Sequence, residues 1–351
     1  MTSVAPVDDP GACTERELTR PVALCRPDGT LNPEAIGWAR QPIIDCSLPG
    51  RWGRRKRWDF WSVVGDGFAM NLTYADVDYG GLGSVWFRDL KAGDEATKDV
   101  IVPLARGFHH HPRAGEGEVG LERGGLRLRF TDDERGTTLA VSFPTKRGRF
   151  DAEVLVTRPA GHESLTVVIP WSDRRYQCTT KDVSRPAEGW ITWGTRHWEL
   201  SADDGRSWGC LDFGRGRWPY RTRWNWGAGA GLVDGRRVGI QVGGKWTDGT
   251  GMTENALIVD GRLSKISEEL VWTYDRTDWL APWTIRTPRS SRIDLTFTPV
   301  HDKVGRLQLG VAESTVDQCF GHWSGRIVPD DGQPIEVRDV FGWAEEATWR
   351  W

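Results

Sequence analysis

Residues 126–169, LRLRFTDDERGTTLAVSFPTKRGRFDAEVLVTRPAGHESLTVVI, decide the fold. LRLRF (126–130), TLAVSF (138–143) and EVLVT (153–157) alternate apolar with polar residues, the period-two pattern of a half-buried strand, and LTVVI (165–169) follows as a further strand. DDERG (132–136) supplies a turn between the first two. Outward from this stretch, GIQVG (239–243) and IDLTFTP (293–299) repeat the pattern, and ADDG (202–205), VDG (233–235), VDG (259–261) and PDDG (329–332) repeat the turns. Turns spaced by about 10 to 25 residues suit antiparallel meanders. Helical periodicity is confined to NPEAIGWAR (32–40), read as one short helix, and EEATW (345–349), read as a frayed turn. A parallel α/β sheet needs a helix at each crossover and is excluded. The chain is therefore all-β, predicted to close into two antiparallel β-barrels or into one large antiparallel β-barrel or sandwich, because closure removes exposed edges.

Composition narrows the function classes. The 351 residues carry 46 Lys and Arg against 49 Asp and Glu, a formal net charge of −3. So balanced a chain is not built to attract nucleic acid or anionic lipid in bulk. No run of 18 apolar residues is present, so no membrane span is expected. The start, MTSVAPVDDPGACTERELTR, is acidic and lacks an apolar h-region, so no secretory signal is read. Cys13, Cys25, Cys46, Cys178, Cys210 and Cys319 form no C-x-x-C pair, which fits reduced thiols and a cytoplasmic location. Two excesses stand out: 42 glycines and 21 tryptophans, against only 5 tyrosines and 11 phenylalanines. Indoles fill the interiors of broad sheets, and they also wall pockets for sugars, polyenes or cations.

Residues 1–35 read as an N-terminal arm, followed by a first β-barrel-like domain over 36–185 and a second over 186–351. The boundary is placed in the polar segment KDVSRPAEG (181–189). Each half carries a basic-aromatic segment, GRWGRRKRWDFW (50–61) and GRGRWPYRTRWNWG (214–227). In a strand, Tyr220, Thr222, Trp224 and Trp226 share one face, and Arg221, Arg223 and Asn225 the other. The first row is either a ligand wall or a core strand.

The motifs GRWGRRKRWDFW, WPYRTRWNWG, GTGMTENALIVDGRL and FGWAEE together resemble an uncharacterised bacterial domain-of-unknown-function family over about residues 20 to 351. More distantly, on the all-β reading and the triplet Asn225-Trp226-Gly227, that family is similar to two-domain lipocalin-like proteins: carotenoid hydratases, tocopherol cyclases and AttH-type proteins. The resemblance implies two lipocalin-like barrels. In the hydratases an acidic and an imidazole side chain precede the triplet; here Arg223 and Trp224 stand in those places, so their catalytic residues are not carried over.

Another acid is then needed. The catalytic candidates are Asp76 and Asp78 in NLTYADVDYGG (71–81), read as sharing a strand face with Tyr74, and Glu254 in GTGMTENA (249–256). Paired or buried carboxylates hold a proton at neutral pH and can deliver it. Candidate ligand contacts are Trp58, Trp61, Tyr74, Tyr220, Trp224, Asn225, Trp226, Asn255, His109 and His322. The run FHHHPRAGEGEVG (108–120) offers His109 and His111, with Glu116 or Glu118, to a metal, but its proline and glycines suit an exposed turn, and no metal site is assigned. WTYDRTDWLAPWTIRT (272–287) and CFGHWSGRIV (319–328) suit a barrel mouth. No P-loop, nucleotide, serine-hydrolase or zincin motif appears, so no cofactor is expected.

Three functions fit. The first is a cofactor-independent lyase, isomerase or cyclase, in which a buried carboxylic acid protonates an apolar, isoprenoid or lipid-like small molecule in a Trp-lined pocket. The second is a carbohydrate-active enzyme, which needs two carboxylates about 5–9.5 Å apart. The third is a lipocalin-like carrier without catalysis. The oligomeric state is left open.

Overall fold

The computed structural model describes residues 11–50, 52–309 and 312–350. Its described residues form two large antiparallel sheets, one of 13 strands and one of nine. The first is a nearly closed barrel and the second a half-barrel. No helix among them is long and apolar enough to cross a membrane.

The opening stretch shows how alternation becomes core. Leu139 lies opposite Phe130 on one side and Val154 on the other, while Val141 lies between Leu128 and Ala152. All six side chains point into the barrel and are buried. Phe143 pairs with Phe150 in the same row, their rings stacked at 5.0 Å. The arginines between them, Arg127 and Arg129, stay exposed. A shift of one residue would exchange these two sets, so the hydrophobic pattern sets the register.

The long strand Arg175–Trp193 turns the barrel's corner. Its first half pairs with Leu165–Ser172 and its second with Gly148–Thr157. A bulge between Asp182 and Arg185, with Ser184 at φ 60°, bends it there. The segment 181–189 is thus mostly continuous strand, and the chain changes sheets later, between Trp208–Arg217 of the barrel and Arg221–Val233 of the half-barrel. The tail is also strand rather than a frayed turn: Ile335–Arg350 lies between two neighbours in the second sheet. The short helix near residue 32 is one 3-10 turn, Pro33–Ala35. The described part of the N-terminal arm, from residue 11, is folded onto the body, with Leu24, Leu31 and Ala35 buried; residues 1–10 of that arm lie outside the described residues.

The core has three layers. One fills the barrel and another the half-barrel. The third lies between the two sheets, where Trp86 and Trp208 of the first meet Trp226, Phe320 and Trp343 of the second. The sequence GAGAG (227–231) serves two of these layers at once. Ala228 and Ala230 join the layer between the sheets, whereas Gly227 and Gly229 face Trp323 in the half-barrel. A Cβ on Gly229 would sit 2.6 Å from the Trp323 ring. Trp323 is fully buried and donates its indole N–H to the Ala228 carbonyl at 3.1 Å, so it cannot swing away cheaply. Gly229→Val should therefore cost about 1–3 kcal/mol, read as a lower urea midpoint. An unchanged midpoint would show that the half-barrel repacks freely around Trp323.

Candidate functional site

The layer between the sheets holds ten tryptophans and, unusually for a core, several ionisable groups. Strand alternation aims them there. In Arg221–Val233, Trp224 and Trp226 face the layer, while Arg223 and Asn225 face the half-barrel. In Ile335–Arg350, Trp343 and Glu345 face the layer and Glu346 the opposite side.

Two buried carboxyls stand among the indoles. Glu345 accepts from the Trp224 indole at 2.8 Å and from the Gln318 amide at 2.8 Å. Burial pushes its carboxyl up to about 7. Glu254 accepts from the Trp246 indole and lies 3.3 Å from the Lys181 ammonium; burial raises it as well. Burial alone would lower Lys181, but Asp212 at 3.0 Å and Glu254 hold it above its ordinary value. Its ammonium also sits 4.2 Å from the centre of the Trp226 ring. Burial lowers Lys303 to about 8; it lies 5.0 Å from the Trp86 ring centre and donates to Gln318 at 3.3 Å. The arrangement thus supplies a neutral acid, a second buried carboxyl and an amine inside an aromatic layer.

Trp218 joins these pieces. It contacts Trp58 at 5.5 Å, Trp171 at 5.2 Å and Trp224 at 5.8 Å, and stacks on Trp246 at 5.2 Å with an interplanar angle of 8°. Trp224 and Trp246 are the indoles that bond Glu345 and Glu254. On its outer side Trp218 lines a shallow recess of about 30 Å³ with Gly53, Arg54, Lys56, Tyr79 and Tyr220.

The other sequence candidates lie elsewhere. Asp78 is not on a strand; it occupies a turn at φ 70° after the strand Phe68–Asp76. Its carboxylate accepts the backbone N–H groups of Gly53, Arg54 and Arg55 and pairs with Arg55 at 2.8 Å and Arg57 at 3.1 Å. Asp76 pairs with Arg57 at 2.5 Å. Both carboxylates are thus turn and ion-pair acceptors, away from the indole layer.

Trp61 and Tyr74 point into the barrel; Arg185 sits over Trp61 at 5.3 Å, and Tyr74 stacks on Phe108 at 4.5 Å. His109 and His111 both turn Nε2 toward the Glu118 carbonyl, their rings 6.1 Å apart. Among the described residues no three His, Cys, Asp or Glu side chains converge as a metal site. The neighbouring His110 reaches inward to Asp59 at 2.7 Å, and burial together with Arg215 lowers it to about 4. His322 pairs with Asp339 at 2.7 Å at the rim. Asn255 is structural, accepting from Gly243 N–H and donating to the Glu268 carbonyl. Asn225 donates to Tyr274 and to the Glu345 carbonyl on the half-barrel side.

A family model matches residues 15–351. The chain belongs to the family described as Domain of unknown function (DUF2804). The motifs at 50–61, 218–227, 249–263 and 341–346 fall within the part this family covers. No curated protein matches the sequence. Among solved structures, this member of the family is similar to CghA with Sch210972, at 12% identity over 93% of this chain and 97% of the other, with a TM-score of 0.44. It is also similar to a putative AttH from Nitrosomonas europaea, at 12% identity over 85% and 98%, with a TM-score of 0.47. Kievitone hydratase from Nectria haematococca is similar at 10% identity over 84% and 88%, with a TM-score of 0.45. These likenesses concern overall shape and carry nothing about activity.

Sequence reasoning missed Glu345, Lys181, Lys303, Trp218 and Trp246. For Glu345 a signal existed: WAEEATW places Trp343, Glu345, Ala347 and Trp349 at spacing two, an acid in an apolar row.

The raised Glu345 carboxyl has a consequence for stability. Its folded value lies near 7 and its ordinary value is 4.5. Between those values the folded chain keeps a proton that the unfolded chain releases, so stability falls as pH rises through that window and is flat on either side. Glu345→Gln should remove about 3 kcal/mol of this pH dependence between pH 4.5 and 8. Urea unfolding of both proteins at the two pH values reads it; identical slopes would mean that Glu345 ionises normally. Asp78→Asn should instead cost about 3 kcal/mol at neutral pH, through Arg55 and Arg57 left short of charge, measured by the same unfolding.

Proposed function

We propose that this protein is a cofactor-independent enzyme that delivers a proton to an apolar, unsaturated small molecule held in the layer between the two sheets. The observation that carries the reading is the Glu345 carboxyl, buried among indoles and pushed up to about 7, so that much of it is protonated at neutral pH. Its O–H proton would pass to an alkene carbon of an isoprenoid or lipid-like substrate, leaving the carboxylate and a carbocation. Trp224, Trp226 and Trp218 present ring faces to such a cation, each worth about 0.5–2 kcal/mol once water is excluded. Attack by water completes a hydration, loss of a proton an isomerisation, and capture by a second double bond a cyclisation. Glu254, the buried carboxyl predicted from sequence, is the second acid of the layer. Asp76 and Asp78 are set aside as proton donors because their oxygens are committed to arginines and backbone N–H groups.

The test uses whatever compound organic extraction releases from freshly purified protein, together with an isoprenoid panel, incubated in D₂O. The wild type should place deuterium on a carbon of substrate or product, with activity declining as pH rises through about 7. Glu345→Gln should lose at least about 10²-fold in rate, the typical share of a general acid. Undiminished product in both Glu345→Gln and Glu254→Gln would sink this assignment, and a ligand returned unchanged and unlabelled would favour a carrier.

A further inference from the structure

Two features of the sequence take no part in the indole layer: the run WTYDRTDWLAPWTIRT (272–287) and the Arg223 face of the strand Arg221–Val233. They meet on the half-barrel side, around Glu346. Arg223 donates to both Glu346 oxygens at 2.8 Å, and Arg276 lies 2.9 Å from one of them. Lys245 and the Tyr274 hydroxyl donate to the same carboxylate. One carboxylate thus serves three cations. Among the described residues none of the three has a second carboxylate within ion-pair distance. Nearby acids are engaged otherwise: Asp317 pairs with Arg306 at 2.6 Å, Asp275 accepts from Thr277, and Asp248 accepts the backbone N–H of Lys245. The side chains of Arg276 and Arg223 are 60% and 41% exposed, so part of each guanidinium stays open to an incoming partner.

Two further observations separate this cluster from ordinary surface ion pairs. Lys245 stands at φ 68°, a left-handed backbone that is strained for any residue but glycine. Burial lowers its ammonium even with Glu346 beside it, so one carboxylate does not make up for the lost hydration. Beside the cations stands a group of rings. Tyr274 stacks on Trp283 at 4.1 Å with an interplanar angle of 13°, and on Trp279 at 5.8 Å. Trp283 is fully buried, Tyr274 and Trp279 only half, and the adjoining Leu280 is exposed. Excess positive charge next to partly open rings matches an anion with a flat apolar body, and guanidinium forks fit a planar carboxylate. We propose that Arg223, Lys245 and Arg276, gathered around Glu346, bind the carboxylate of a small aromatic acid whose ring packs against Tyr274 and Trp279. The site lies on the half-barrel side of the strands that carry Trp224 and Glu345, and it does not depend on proton transfer in the indole layer.

2-Naphthoate and its neutral isostere 2-naphthamide, titrated into the full chain by calorimetry, test the site. The acid should bind about tenfold or more tighter than the amide, the gain of a charge-assisted contact over a neutral one. Arg276→Gln changes an exposed side chain and leaves Glu346 two cations, so the fold should stand while the acid's advantage falls about threefold or more. Arg223→Gln combined with Arg276→Gln should bring the acid to within about threefold of the amide without weakening the amide. Trp279→Ala should weaken acid and amide alike and keep their ratio. Inorganic phosphate, an anion without a ring, should displace naphthoate only at about tenfold or greater excess. Equal binding of acid and amide, binding of neither, a preference that survives the double variant, displacement by equimolar phosphate, or indifference to Trp279→Ala would each overturn the proposal. Deuterium transfer is a separate readout: its loss leaves this site standing, and loss of the acid preference leaves the proton chemistry standing.

Discussion

The Lys181 ammonium is held by Asp212 of its own sheet and by Glu254 from the turn that leads into the half-barrel, above the Trp226 ring. A buried cation of this kind is stable only with both carboxylates in place, since a single unpaired charge in such a layer costs several kcal/mol. It therefore ties the relative position of the two sheets to a polar contact instead of leaving it to oily surfaces that slide. The indoles then fill the space around that fixed point, and Trp246 reaches Glu254 from the same turn. Everything described as the site depends on this spacing between sheets. If the gap opened, Glu345 would meet water and behave as an ordinary carboxyl.

The fold was largely legible because its information is local. Leu128, Phe130, Leu139, Val141 and Val154 announce their strands by alternation, and each pairs as the pattern requires. The site was less legible, because burial is a property of the assembly. Asp76 and Asp78 look like a proton-sharing pair in sequence, and nothing in that stretch reveals that Arg55 and Arg57 lie against them. Lys181 and Glu254 are 73 residues apart, one on a barrel strand and the other in the turn before the half-barrel strand Asn255–Val259. The long strand Arg175–Trp193 hid the change of sheets, since its polar stretch around 182–185 reads as a linker while its bulge reads as nothing at all. Trp218 extends the spacing-two row of Tyr220, Trp224 and Trp226, but it sits in the crossing outside the strands, so spacing alone did not show which indoles it would join.

Glu345 and Glu346 are neighbours in the chain with opposite fates. The first is pushed up to about 7 within the indole layer. Burial would also raise the second, but bonds from Lys245, Tyr274 and Arg223 outweigh it and hold it at about 2. Both are glutamates, so the difference belongs entirely to the two faces of the strand Ile335–Arg350: the aromatic face pushes one carboxyl up and the cationic face pulls its neighbour down. Strand alternation alone thus divides one residue type into a proton store on one side of a sheet and a charge clamp on the other.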